Sequence, residues 1–209
     1  MYIPKQFTET DAGRLEALIE SHGFALVVTT DAEGLPVASH LPLIYEAGRG
    51  PHGSLLGHVA RANPQWRHFE DGTEVLAVFS GPHAYISPSW YEDHPAVPTW
   101  NYATVHVYGR PRIVDDAGET RGMLARLVDA HEAGFVSPWR MDLPADYEDR
   151  MVRGIVAFEI EISRLEGKFK LSQNRPAMDR VTVADQLAAS GHDDATGIAR
   201  LMREREGEA

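Results

Sequence analysis

The stretch 154-GIVAFEIEISRLEGKFKLS-172 decides the fold class. Val156, Phe158, Ile160 and Ile162 alternate with Ile155, Ala157, Glu159 and Glu161. A period of two puts the first set on one face of an extended segment, facing a core, and reads as a strand pair or one long bent strand. The segments 24-FALVVTT-30, 36-PVASHLPLIYE-46, 54-SLLGHVA-60, 74-EVLAVFSG-81, 84-AYISP-88 and 103-ATVHVYGRPRIV-114 read as further strands. Each is bounded by turn-forming residues, as in 31-DAEGLP-36 and 47-AGRGPHG-53. Short strands at such intervals point to a small barrel, so the chain is mainly β. Pro36 and Pro42 confine their strand to an edge, an end or a bulge, because neither can donate to a ladder.

Helices flank this β region. The segment 8-TETDAGRLEALIESHG-23 carries an apolar stripe of Leu15, Leu18 and Ile19, and 119-ETRGMLARLVDAHEAG-134 carries Met123, Leu124, Leu127 and Val128. Between that second helix and the long strand, 135-FVSPWRMDLPADYEDRM-151 reads as irregular. A short helix over 61-RANPQWRHFEDG-72 has Asn63 as its cap, Pro64 at its first position and Gly72 at its end. From Arg175 onward the pattern is helical with charges of both signs, a solvated surface. The predicted organisation is one domain at residues 1–172 and a helical C-terminal extension of that same domain at 173–209.

Composition removes whole classes. The chain has 209 residues and no cysteine, which excludes disulfides, thiolate metal sites and a cysteine nucleophile. Its net charge of -11 opposes the phosphate backbone of nucleic acid, so direct sequence-specific DNA binding is not expected. No leader pattern and no membrane-spanning apolar run is present, and the cytoplasm is the expected location. The ten histidines are scattered and lack the H-E-x-x-H pairing of a metal site. Gly48, Gly50 and Gly53 have the spacing of a dinucleotide-binding loop, but a strand follows them where that motif needs a helix, so they form a hairpin turn. The serines of 87-SPSWY-91 have no base or orienting carboxylate at a recognisable offset. Glu92, Asp93 and His94 lie on a proline-rich loop.

Two segments retain a chemical reading beside a structural one. In 57-GHVARANPQW-66, Arg61 stands where a strand ends and the Asn63-capped helix begins, a combination that suits a phosphate. It also suits an ordinary capped helix with Arg61 in a surface ion pair, the commoner use of that local pattern. In 166-EGKFKLSQNR-175, Lys168 and Lys170 share one face of extended chain and could draw an anion, or could protect an exposed strand edge. The run 81-GPHAYISPSWYEDHPAVPTWNYATVHVYGRP-111 holds Tyr85, Trp90, Tyr91, Trp100, Tyr102 and Tyr108. Those rings are a barrel wall or the border of a flat ligand.

With these motifs go 1-MYIPKQF-7, 79-FSGPHAYISPSWY-91 and 98-PTWNYATVHVYG-109, and together they resemble the PaiB family, FMN-binding negative transcriptional regulators. The resemblance spans nearly the whole chain. It implies an FMN-binding split β-barrel of the pyridoxamine phosphate oxidase type with flanking helices, and a homodimer holding FMN in interface clefts. It places Arg61, Ala62 and Asn63 near the FMN phosphate and Ser39, His40 and Leu41 on a strand beside the flavin. It brings Trp100 and Asn101 to the cleft and lends Lys168 and Lys170, from either subunit. The implied function is regulation at one remove from DNA or sensing of flavin or redox state. An FMN-dependent oxidoreductase or flavin reductase is the alternative. A haem-binding barrel is a third, and it needs a histidine on iron.

Overall fold

The computed structural model describes residues 1–207. Seven strands run in the order β1-β7-β4-β3-β2-β5-β6, and β6 pairs back onto β7. They are β1 (Thr8–Glu9), β2 (Phe24–Thr30), β3 (Pro36–Glu46), β4 (Ser54–Ala60), β5 (Val75–Ile86), β6 (Thr99–Val114) and β7 (Ile155–Lys170). The return of β6 to β7 closes six strands into the split barrel, with β1 added outside the ring. Five helices accompany them: α1 (Ala12–Ser21), α2 (Ala117–Glu132), α3 (Ala145–Arg153), α4 (Ala177–Ala188) and α5 (Asp193–Glu206). No described helix is long and apolar enough to cross a membrane.

The chain forms two compact units. One comprises Ile19–Phe79 and His106–Leu165 and holds β2, β3, β4 and the adjoining parts of β5, β6 and β7. Its interior is the predicted one: Phe158 and Ile160 are fully buried, with Val156 and Ile162 nearly so. Leu43, Leu55, Val27, Ala77 and Phe79 of the other strands are buried as well. Phe69 closes one end with its ring 4.9 Å from that of Phe158. Where β6 passes β7, a side chain at Gly109 would collide with the carbonyl of Glu161, so the close crossing requires glycine. A second apolar layer lies outside the barrel, where Met123 and Leu127 of α2 cover Leu56, Val114 and Ala157. This layer explains why Ala157, on the face opposite Phe158, is also buried.

The other unit comprises Met1–Leu18, Ser80–Val105 and the chain from Glu166 onward. Here β1 pairs with the end of β7, placing Thr8 opposite Lys168 and Glu9 opposite Gly167. Val183 and Leu187 of α4 and Ile198 and Met202 of α5 are buried in it.

The strands expected at 74–81 and 84–88 are the single strand β5, Thr8 and Glu9 form β1 ahead of α1, and two further expectations change here. The segment 135–151 contains α3 in its second half, which begins after Pro144 and carries Asp146 and Glu148 in its first turn. Those carboxylates favour the positive end of the helix dipole, a signal hidden by the absence of an apolar stripe. Pro42 lies within a central strand. β3 pairs with β2 from Pro36 to Pro42 and with β4 from Leu43 to Glu46, so Pro42 stands at the handover between the two neighbours.

Candidate functional site

The site is assembled in the first of these units, where β4 ends. Ala60 closes the strand, and Arg61 and Ala62 lead into the 3-10 helix Pro64–Phe69, a tighter and shorter element than the helix expected there. Asn63 is its cap: the side-chain oxygen accepts from the N–H of Gln65 at 3.0 Å. The amide nitrogen of the same side chain donates to Ser39 Oγ on β3 at 2.9 Å. One residue therefore both starts the turn and ties it to the neighbouring strand.

Gln65 fixes this turn from below. It is 1% exposed, and its amide nitrogen reaches the carbonyls of Val27 and Val37 at 3.0 and 3.1 Å and Thr29 Oγ1 at 3.2 Å. Thr29 Oγ1 also lies 2.8 Å from His68 Nδ1. The segment following β4 is thus held rigidly over the ends of β2 and β3, the condition for a preorganised binding loop.

Arg61 is exposed yet immobilised. Its Nε donates to the carbonyl of Arg153 at 2.9 Å and its Nη2 to that of Ile155 at 2.8 Å. Its backbone N–H donates to Gly154, and its carbonyl accepts from Trp66 Nε1 at 3.1 Å. Among the described residues Nη1 has no protein partner, and neither has the backbone N–H of Ala62. A fixed guanidinium with a spare N–H beside a spare backbone N–H suits a phosphate group. The ion pair that the structural reading allowed Arg61 is replaced by two carbonyl contacts.

Arg61 also lines a cavity of about 830 Å³ with Trp66, Glu70, Arg112, Asp115 and Arg153. That volume falls within the range of small-molecule sites. Of its charged residues Arg112 is paired, 2.9 Å from Glu119 and 2.7 Å from Glu159. Arg153 has no ion pair among the described residues and was missed in the sequence, because it ends a helix that the sequence pattern did not disclose.

On the other side of the Asn63–Ser39 bond, β2 and β3 present an outward face. His40 is exposed and stacks on Phe24 at 5.7 Å, and Phe24 is 67% exposed. Leu26 pairs with His40 and with Val78 of β5, and Val28 pairs with Ala38 and Leu76. None of these side chains is fully buried. Leu41, in contrast, is 9% exposed and points into the barrel, so only its backbone is placed beside the outer face.

The remaining expected site residues belong to the other unit. Trp100 is half exposed, stacked on His83 at 5.8 Å with Tyr85 at its edge. Asn101 is fully buried and donates to Ser172 Oγ at 2.9 Å. Ser172 has φ 62°, so the Asn101 bond anchors the left-handed residue that ends the Lys168–Lys170 strand. Lys168 donates to the carbonyl of Tyr2 at 3.0 Å. Lys170 donates to the carbonyl of Trp100 at 2.8 Å and to the hydroxyl of Thr99. No group of three or more metal-ligating side chains is present among the described residues.

A family model described as "Putative FMN-binding domain" matches residues 1–164. The protease synthase and sporulation protein PAI 2 of Bacillus subtilis is 39% identical over 98% of each chain. An uncharacterized protein of Emericella nidulans is 33% identical over 98% of this chain and 97% of its own. Among solved structures, the FAD and heme binding protein from Mycobacterium smegmatis shares the fold with a TM-score of 0.61. It is 18% identical, with 88% of this chain and 80% of that one covered. The flavocytochrome Anf3 from Azotobacter vinelandii gives a TM-score of 0.62 at 14% identity, covering 80% and 72%.

Proposed function

We propose, for a chain that belongs to the PaiB family of FMN-binding split barrels, that the FMN phosphate is held by Arg61 and Ala62. The flavin ring then lies along the outer face of β3 at His40 and the backbone of Ser39 and Leu41. The observation that carries this reading is the Asn63–Ser39 bond, which joins the phosphate-suited turn to that strand. Bound FMN supplies the electron-transfer chemistry. The residues of this chain bind and orient it: Arg61 Nη1 and the Ala62 N–H neutralise and fix the phosphate, and Asn63 holds their segment in place.

The same outer face supports a homodimer. Phe24, Leu26, Val28, Leu76 and Val78 are apolar and incompletely covered, and a second copy packed there would bury them together with the flavin ring. The biological role that fits is sensing of flavin or redox state, with repression of transcription exerted through a partner. The net charge of -11 supports a route that avoids direct operator contact.

Titration of the FMN-free protein with FMN and with riboflavin tests the phosphate assignment. Arg61→Ala removes a charge-assisted contact worth about 1.5 to 3 kcal/mol, weakening FMN by roughly 10 to 150-fold while sparing riboflavin. Equal losses for both ligands mean that Arg61 only braces the start of β7, and the assignment fails.

A further inference from the structure

We propose that Lys168 and Lys170 form a seat for one oxyanion, the carboxylate or phosphate group of a small ligand separate from FMN. The proposal rests on the reading that the single phosphate of FMN is taken by Arg61 and Ala62. Both lysines project from the same face of β7, two residues apart. Lys168 is 9% exposed, and its ammonium has one hydrogen-bond acceptor, the Tyr2 carbonyl, with the rings of Tyr102 and Tyr2 at 5.1 and 5.7 Å. Lys170 has a hydroxyl and a carbonyl as acceptors and the ring of Phe7 at 5.9 Å. Neither has a carboxylate partner among the described residues, although the chain carries 31 acidic side chains.

A buried ammonium with no counter-ion is costly, and two adjacent ones repel. Burial, reinforced by the charge of Lys168, holds Lys170 below the ordinary lysine range. Edge protection does not account for the pair: β1 already covers β7 at Lys168, and a lysine guarding an edge needs to be in water. Each ammonium carries three protons, so Lys168 keeps two N–H groups and Lys170 one with no protein acceptor. An oxyanion satisfies these donors and both charges at once. Tyr2, Phe7 and Tyr102 give the seat aromatic walls.

The sequence supplies an unusually clean test, because Lys5 is the only other lysine and it is exposed. Protein labelled with ¹³C at the lysine ε-carbon is saturated with FMN and titrated with inorganic phosphate and then acetate, at constant ionic strength. The expected result is that the Lys168 and Lys170 signals move together and saturate with one dissociation constant while Lys5 stays fixed. Lys170→Met then weakens phosphate by at least about tenfold, and Lys170→Arg retains binding, which separates charge loss from misfolding. The proposal is overturned if no lysine signal moves, or if Lys5 moves as far as the others. It is equally overturned if FMN itself moves the two signals and phosphate adds nothing afterwards. If phosphate moves both lysines while Arg61→Ala weakens FMN and riboflavin equally, the lysine seat stands and the flavin reading falls.

Discussion

Asn63 Nδ2 donates to Ser39 Oγ at 2.9 Å, across 24 residues of sequence, and this bond joins the turn after β4 to the middle of β3. The other end of the Asn63 side chain caps the 3-10 helix, so the two functions of the residue can be separated by mutation. Ser39→Ala removes the tie and leaves the cap. It is expected to weaken FMN by roughly 2 to 10-fold with little change in melting temperature, the loss of one hydrogen bond of about 0.5 to 1.5 kcal/mol. Asn63→Ala removes both and is expected to lower stability as well, by about 0.5 to 2 kcal/mol. Calorimetric FMN titration beside thermal unfolding reads both quantities. A Ser39→Ala protein with wild-type FMN affinity refutes the role given to the bond.

Leu26 lies opposite His40 on one side and Val78 on the other, at the centre of the outward face of β2. If a second copy covers that face, Leu26→Asp places a charge in the middle of an apolar contact. The variant is expected to run as a monomer in light scattering at a concentration where the parent is a dimer, and to bind FMN more weakly because the ring loses its cover. A monomeric parent, or a dimeric Leu26→Asp protein, removes the dimer from this face.

How much of this arrangement was readable in the chain depends on whether the signal was local. The core face of β7 was legible because Val156, Phe158, Ile160 and Ile162 obey a strict period of two. The Asn63 cap was legible because Asn-Pro at a strand end has one common use. The partner of Asn63 was not, since Ser39 is one of many polar strand residues and only the sheet brings it near. The burial of Ala157 under α2 was hidden for the same reason: it needs knowledge of which helix lands on which strand. For Asn101 the motif surroundings suggest a ligand contact, and only the fold shows that its side chain is buried and donates to Ser172 Oγ and Met202 Sδ.

Glu159 binds two arginines from separate elements, Arg49 of the β3–β4 turn at 2.8 Å and Arg112 of β6 at 2.7 Å. Burial works to raise its pKa, but hydrogen bonds from Arg49 and Arg112 outweigh it and hold the carboxyl below its usual value. The stability it contributes is therefore present above the ordinary glutamate value of 4.5 and is lost as pH falls through the lower folded value. Glu159→Gln is expected to cost about 1 kcal/mol at neutral pH, a modest sum because both arginines are about half exposed and rehydrate. Denaturation of parent and variant across pH 3 to 7, roughly the span around that ordinary value, should show their difference shrinking at the acid end. A difference that is constant over the whole range shows that the carboxylate charge is not what holds the turn.

His58 gives the opposite kind of titration, because here the charged form has no support. It follows Gly57 on β4, on the same face as the buried Leu56, and its Nδ1 is buried without a hydrogen-bond partner. Burial lowers its pKa from the ordinary 6.5, so the folded protein holds a neutral imidazole. As pH drops below that ordinary value the unfolded chain takes up a proton that the folded chain refuses, and stability declines until the folded value is passed. His58→Leu keeps the volume and removes the titration. Its stability is expected to track that of the parent at pH 8 and to exceed it increasingly as pH falls from about 6.5 toward 5, the window in which an unperturbed histidine charges. The other nine histidines are the same in both proteins and cancel in the comparison. Chemical denaturation at intervals across this window measures the difference directly, and two parallel stability curves exclude His58 as a source of acid sensitivity.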